Sequence, residues 1–254
     1  MLAVVSPAKK LDTTELDRSL PITQPSLLND TEILVRQAKQ LKPAALQALM
    51  GISENLATLN HDRFQQFNTP FTAHNAKPAA LTFNGDTYTG LDATTLSSED
   101  LAWAQDHLAI LSGLYGILRP LDLIQPYRLE MGTRMKTRRG ANLYDFWGDR
   151  ITKQIQERLA EHEDRTVVNL ASIEYFKSVK PNALGGAVIT PSFKEMRDGK
   201  PKMISFLAKK ARGMMARHII DGRIDRPEGL KDFETDGYRY DAASSTDTNW
   251  SFIR

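Results

Sequence analysis

Cysteine is absent from all 254 residues, which excludes disulfides, thiolate metal ligation, cysteine-held iron–sulfur clusters and thiol peroxidase chemistry. Histidine is scarce and scattered: His61, His74, His107, His162 and His218 show no metal-binding spacing, so neither a metal site nor a cofactor is expected. Long apolar runs are missing too. The longest, around Leu108 to Leu118, is interrupted by Ser112 and Gly113 and falls short of the ~20 residues that span a bilayer, so no membrane partner is expected. The apolar N-terminus, Met1 to Val5, is too short for a signal segment, and Lys9 and Lys10 follow it instead of preceding it. These features predict a soluble, cytoplasmic protein.

What is present is an uneven distribution of charge. The chain carries a formal net charge of +2. Arg119 to Arg139 holds Arg119, Arg128, Arg134, Lys136, Arg138 and Arg139 against Asp122 and Glu130, a local balance of +4. Lys177 to Arg217 holds ten Lys and Arg against Glu195 and Asp198, a balance of +8. The remainder therefore sums to −10, and a polarised chain of this kind concentrates an anionic partner.

Periodicity and turn residues predict a mixed α/β protein, a single domain over residues 1–254 around one central sheet. Strands are expected at Leu2 to Val5, Ala80 to Phe83, Leu108 to Leu114, Thr166 to Leu170, Ala187 to Phe193 and Lys202 to Ser205. Helices are expected at Leu27 to Leu41, Pro43 to Met50, Ser53 to Leu59, Ser97 to His107, Asn142 to Glu161, Ser172 to Val179 and Phe206 to Asp221, with Pro43 at a first turn and Ser53 as an N-cap. Tyr115 to Arg139, rich in Gly, Pro, Tyr and Arg, has no clear period. It reads as a working surface, because long irregular stretches inside a domain usually serve function.

Three constellations carry candidate chemistry. On the Phe206 to Asp221 helix, Lys209, Lys210, Arg212 and Arg217 share one face around Gly213, where a phosphate backbone is expected to approach closely. A solvated helix face is the plainer alternative, and His218 reads as a core residue. In the second, Gly51-Ile52-Ser53 joins two helices over about residues 43–60. The pattern resembles a helix-hairpin-helix element, with Ser53 where a second Gly would stand, and the free N–H groups of a helix N-terminus suit a phosphate oxygen; an ordinary helical hairpin has the same pattern. The third comprises Asn84 to Leu91 and Leu111 to Asp122, which fit no Walker or Rossmann fingerprint. Asp86, Asp122 and Glu130 there are candidate acids or bases, Arg119 and Arg128 would grip an anion, and Tyr88, Tyr115 and Tyr127 are candidate stacking platforms or core aromatics.

Ser6-Pro7-Ala8-Lys9, Phe83-Asn84-Gly85-Asp86, Leu111 through Asp122, Gln125 to Gly132, Phe146-Trp147-Gly148-Asp149, Val168 to Ser172 with Glu174-Tyr175-Phe176-Lys177, and Ala208 to Gly213 together resemble the YaaA family of bacterial peroxide-stress proteins. Residues 241–254 match poorly. The resemblance implies a protein that limits unincorporated intracellular iron, with an unusual α/β fold, a basic cleft, a helix-hairpin-helix element and double-stranded DNA as partner. Carried over, the hairpin is Gly51, Ile52 and Ser53. The cleft would draw on Lys9, Lys10, Arg119, Arg128, Lys177, Lys180, Lys209, Lys210 and Arg212, with Arg217 on the same helix face. On this reading no catalytic residue is assigned. The alternative is an enzyme acting on a nucleotide, nucleobase or other small anionic, phosphorylated ligand, with Asp86, Asp122 and Glu130 as its candidates.

Overall fold

Nothing polar interrupts Leu2–Val5, and this segment becomes the fully buried strand β1 at the heart of the sheet, in a computed structural model that describes all 254 residues. From there the chain forms β2 (Lys10–Leu11), α1 (Leu28–Lys39), α2 (Pro43–Met50), α3 (Glu54–Gln66), β3 (Lys77–Pro78), α4 (Ala79–Thr82), β4 (Phe83–Asn84) and α5 (Asp86–Leu91). Next come α6 (Ser98–His107), β5 (Leu108–Ser112), β6 (Gly116–Leu118), β7 (Leu123–Ile124), α7 (Leu143–Trp147), α8 (Arg150–Leu159), β8 (Val167–Leu170) and α9 (Ile173–Phe176). The last third contributes β9 (Val188–Arg197), β10 (Lys200–Lys202), α10 (Ser205–Asp221), β11 (Arg239–Asp241) and β12 (Asn249–Ile253).

The main sheet runs β11-β12-β9-β8-β1-β5-β6, with β10 folded back on β9. Its inner strands β12, β9, β8, β1 and β5 are parallel, and β11, β6 and β10 pair antiparallel. Parallel strands covered on both faces read as continuous apolar runs, as β1 and β5 do. Mixed α/β class and a central sheet are thus observed. Residues 241–254, expected to match the family poorly, are integral to the fold: β12 pairs with β9 over five positions, Phe252 is fully buried, and the Arg254 guanidinium donates to both Glu195 oxygens at 2.9 Å.

Several expected elements differ. The strand expected at Ala80 to Phe83 is found only at Phe83, in β4: after Pro78 the chain coils into α4 through Thr82, whose hydroxyl donates back to the Pro78 carbonyl at 2.8 Å, because a short apolar run carries no decisive period. The helix expected over Asn142 to Glu161 is split into α7 and α8 at Gly148, whose φ is +52°. Lys202 to Ser205 is divided between the end of β10 and the start of α10. The second helix of the hairpin runs beyond Leu59 to Gln66, with the Ser53 hydroxyl accepting from the Leu56 N–H at 3.4 Å. The irregular 115–139 stretch contains β6 and β7.

The largest correction concerns Gly213, expected to lie open on a cationic face. It is buried where α10 crosses α5: a Cβ at Gly213 would sit 1.7 Å from the Thr87 carbonyl oxygen, and one at Gly90 would sit 2.0 Å from the Lys210 carbonyl oxygen. Two glycines thus let the helix backbones touch, and no phosphate can reach Gly213. His218, expected in the core, is half-buried at its edge, with Nε2 at 3.3 Å from the Gly229 carbonyl and its ring against Phe233.

At the amino end of β1, the Met1 ammonium donates to His162 Nδ1 at 3.0 Å, and His162 Nε2–H is left to donate to the Asp106 carbonyl at 3.0 Å. His107 stacks on Trp103 with ring centroids 3.6 Å apart. Burial lowers the pKa of both imidazoles and of the Met1 amine below their ordinary values of 6.5 and 8.0.

Two outcomes follow from these contacts. Gly213→Ala gains ~1 kcal/mol of helix propensity but forces apart two backbones, and overpacking costs ~1–3 kcal/mol or more; urea unfolding should show a net loss, and an unchanged midpoint would mean the helices separate freely. Because the Met1 amine, His107 and His162 bind protons less readily when folded, the unfolded chain gains protons first as pH falls. The melting temperature should therefore decline from about pH 8 to pH 5, less steeply in His162→Gln, and a melting temperature that rises on acidification would contradict the assignment.

Candidate functional site

Open parallel sheets place ligands beyond the carboxyl ends of their strands, and there the ends of β1 and β8 border a cleft of ≈ 470 Å³. That volume lies in the range of small-molecule sites, ~300–1,000 Å³. Ser6 follows β1 directly and Ser172 follows β8; the Ser172 N–H donates to Ser6 Oγ at 2.9 Å, tying the two strand ends together. The Tyr88 hydroxyl donates to the Ser6 carbonyl at 3.1 Å and closes the floor.

The wall beyond β5 is held by a close approach. A Cβ at Gly113 would sit 2.2 Å from the Leu129 carbonyl oxygen, so the bare glycine lets Tyr127 to Glu130 lie along the strand end. The Tyr127 hydroxyl pairs with Ser112 Oγ at 2.6 Å in the interior. Glu130 accepts from Lys9 Nζ at 2.8 Å and from Arg128 at 3.1 Å. Arg128 Nε is the only buried side-chain polar atom in the protein without a hydrogen-bond partner. Glu174, on the same side, accepts from the Gly132 N–H at 2.9 Å.

The facing wall comes from β4, α5 and α10. The Gly90–Gly213 crossing presses Thr87 onto α10, which brings Asn84 to Thr87 beside Lys209 and Arg212, and Lys10 pairs in register with Asn84. Lys10, Lys209 and Arg212 make no ion pair, whereas every ion pair of the cleft falls on Glu130. Burial pulls the Arg212 guanidinium below its ordinary pKa. Burial raises the pKa of the Tyr88, Tyr127 and Tyr175 hydroxyls well above the usual phenol value, so all three stay protonated at physiological pH.

The expected site residues therefore separate into two groups. Lys9, Lys10, Arg128, Lys209 and Arg212 line the cleft together with Asp86 and Glu130. Asp122 does not: it is buried, accepts from the Arg119 N–H at 2.7 Å and the Thr23 hydroxyl at 2.6 Å, and burial raises its pKa. Arg119 is engaged in the same knot. Lys180 pairs with Asp149, Lys210 with Asp236 at 4.0 Å, and Lys177 lies 5.0 Å from the centroid of the Tyr144 ring. Arg217 pairs with Asp221 at 2.7 Å and donates to Thr95 at 2.6 Å. Tyr88 and Tyr127 line the cleft, while Tyr115 is a core ring.

Sequence reasoning left Ser6, Ser172, Glu174 and Tyr175 unassigned. Their signal lay in the Ser6-Pro7-Ala8-Lys9 and Ser172 to Lys177 blocks that carried the family resemblance. The helical hairpin stands beside the cleft: Ala48, Leu49 and Met50, just before Gly51 with its φ of +61°, border a second, more open depression that shares Glu130 and Glu174 with the first. Nowhere do three His, Asp or Glu side chains gather in a metal-binding cluster. No helix is long and apolar enough to cross a membrane.

Known proteins resemble this chain over its full length. A UPF0246 protein of Saccharophagus degradans is 54% identical over 254 residues, covering 100% of this chain and 99% of that one. One of Alteromonas mediterranea is 52% identical over 257 residues, with 100% and 98% covered, and one of Cellvibrio japonicus is 53% identical over 254 residues, with the same coverage. The family model described as peroxide stress protein YaaA matches residues 1–244, cleft and hairpin included, and with these relatives it establishes that the chain belongs to the YaaA peroxide-stress family.

Proposed function

We propose that the protein serves the peroxide stress response by binding double-stranded DNA without strong sequence preference and by limiting unincorporated intracellular iron, which otherwise turns peroxide into hydroxyl radical. The role in peroxide stress rests on family membership. One observation supports the DNA reading: cations from three distant segments, Lys9 and Lys10, Arg128, and Lys209 with Arg212, meet at one edge of the sheet beside the Gly51-Ile52-Ser53 hairpin. Lys177, Lys180, Lys210, Arg119 and Arg217 take a smaller part, being held by neighbouring groups.

With up to five phosphates neutralised, log K for a random duplex should fall against log salt with a slope no steeper than about −4.5. Lys209→Ala should lower that slope by about 1 and weaken all sequences alike. A flat salt dependence in gel-shift titrations, or no duplex binding at low salt, would overturn the DNA reading. For iron, electron paramagnetic resonance of chelator-loaded cells should show more free ferric signal after deletion of the gene, restored by the wild-type chain and not by the Lys209→Ala, Arg212→Ala double variant.

A second reading, an enzyme acting on a nucleotide, nucleobase or other phosphorylated small molecule, is favoured because Asp86 and Glu130 stand in the same cleft as Lys209 and Arg212. Glu130, oriented by Lys9 and Arg128, is then the candidate acid or base and Asp86 the second. Asp86→Ala and Glu130→Ala should leave DNA binding intact or tighter while abolishing peroxide protection. Full protection by both variants would eliminate this reading.

A further inference from the structure

The charges of the cleft are sorted by wall. On the β5 side both cations, Lys9 and Arg128, are taken up by Glu130. On the α5–α10 side Lys10, Lys209 and Arg212 face the cleft beside Asp86, which lies within ion-pair distance of none of them. Three unneutralised cations gathered on one wall repel one another and are relieved by an anion. Summed over the lining, five cations against Asp86, Glu130 and Glu174 leave +2.

We infer that this wall is a phosphomonoester site: Lys10, Lys209 and Arg212 take a single terminal phosphoryl group, and the remainder of the ligand extends toward Glu130 and the rim. The inference deepens the second reading above and rests on the cleft being a ligand site. Charge and size support it. A phosphomonoester carries ≈ −1.5 to −2 at pH 7, which matches +2, and ≈ 470 Å³ admits a nucleotide-sized ligand. A continuous duplex backbone, with one charge per ~1.7 Å of axis, meets these cations across the mouth of the cleft, and only a strand terminus fits inside it.

Three further features fit. The half-buried Arg212 guanidinium, its charged form disfavoured by burial, regains stability beside a phosphate. The orphaned Arg128 Nε stands on the opposite wall, where a well-made site would supply an acceptor. Ile173, between the lining residues Ser172 and Glu174, is 90% exposed, and Phe206, one turn before Lys209, is 60% exposed. An exposed aromatic ring such as Phe206 suits the flat face of a nucleobase.

The same phosphoryl group occurs on a free nucleoside monophosphate and at a DNA strand end, and calorimetry on the full chain separates the two. Deoxyadenosine 5′-monophosphate should bind with a stoichiometry of one, inorganic phosphate should compete, and deoxyadenosine should bind at least tenfold more weakly. Lys209→Ala and Lys10→Ala, both at exposed positions, should each weaken the monophosphate at least fivefold without changing the melting temperature; Arg212→Gln should weaken it further. A hairpin duplex ending in a 5′-phosphate, compared with the same duplex ending in a hydroxyl, identifies the strand end as the source if the phosphate gains fivefold and Lys209→Ala removes the gain. Equal affinity of the two ends, with the monophosphate still bound, identifies the free nucleotide. Absence of monophosphate binding, or binding indifferent to Lys209 and Lys10, overturns the inference, and duplex binding that persists in that case leaves the DNA reading standing.

Discussion

The backbone contact between α5 and α10 is the constraint on which the rest of the molecule turns. Gly90 and Gly213 remove the side chains that would hold these helices apart, and the Thr87 and Lys210 carbonyls occupy the vacated space. Two consequences follow from one contact. It fixes the N-terminal end of α5, with Asn84 to Thr87, against α10, and it sets the rotation of α10 about its axis, which decides which of its cations face the cleft. With Gly213 turned into the crossing, Lys209 and Arg212 point to the carboxyl edge of the sheet while Lys210 and Arg217 are carried to neighbouring acids. A helix that looks uniformly basic in sequence is thereby divided into a ligand-facing pair and a structural pair.

The other wall obeys the same logic by a different route. Gly113 admits the Leu129 backbone, and the 2.6 Å pair between Tyr127 and Ser112 anchors the segment in the interior. Desolvation makes such a buried hydroxyl pair costly to break. The charged tips of Arg128 and Glu130 can therefore project from a segment whose base is rigid, which is what a preorganised site requires. The irregular stretch from Tyr115 to Arg139 is irregular because its backbone follows the end of a sheet, not because it is loose.

Much of this was legible in the sequence, and the exceptions share a cause. The buried strands β1, β5 and β8 announce themselves as short apolar runs, and the Gly51-Ile52-Ser53 turn announces itself by a helix stop followed by an N-cap. The family blocks named most of the cleft. What escaped was the partner of each charge. Arg119 and Asp122 look like active-site residues from the segment they occupy, yet they form a buried knot with Thr23, about a hundred positions earlier. Lys180 and Lys210 look free until Asp149 and Asp236 are brought to them by the fold. A helical wheel places Gly213 on a polar face but cannot show that another backbone fills the space beside it. Local pattern reports element type; it does not report which long-range contact consumes a side chain.

The arrangement of acids has a consequence for how any nucleic acid lies on this surface. The path from the cleft to the Gly51 hairpin passes Glu130 and Glu174, which border both depressions. Glu130 is neutralised by Lys9 and Arg128, whereas Glu174 has only the Gly132 N–H as partner. A phosphate backbone laid along that path would meet an uncompensated carboxylate midway, and like charges at short range are unfavourable even in high dielectric. The hairpin and the unpaired cations of α10 and β2 are therefore better suited to separate phosphates than to one unbroken run. A duplex engaged by the hairpin would reach the cleft at its end or at a break in its backbone. The duplex reading and the phosphomonoester reading then share the cations of the cleft, with Glu174 standing between them and the hairpin.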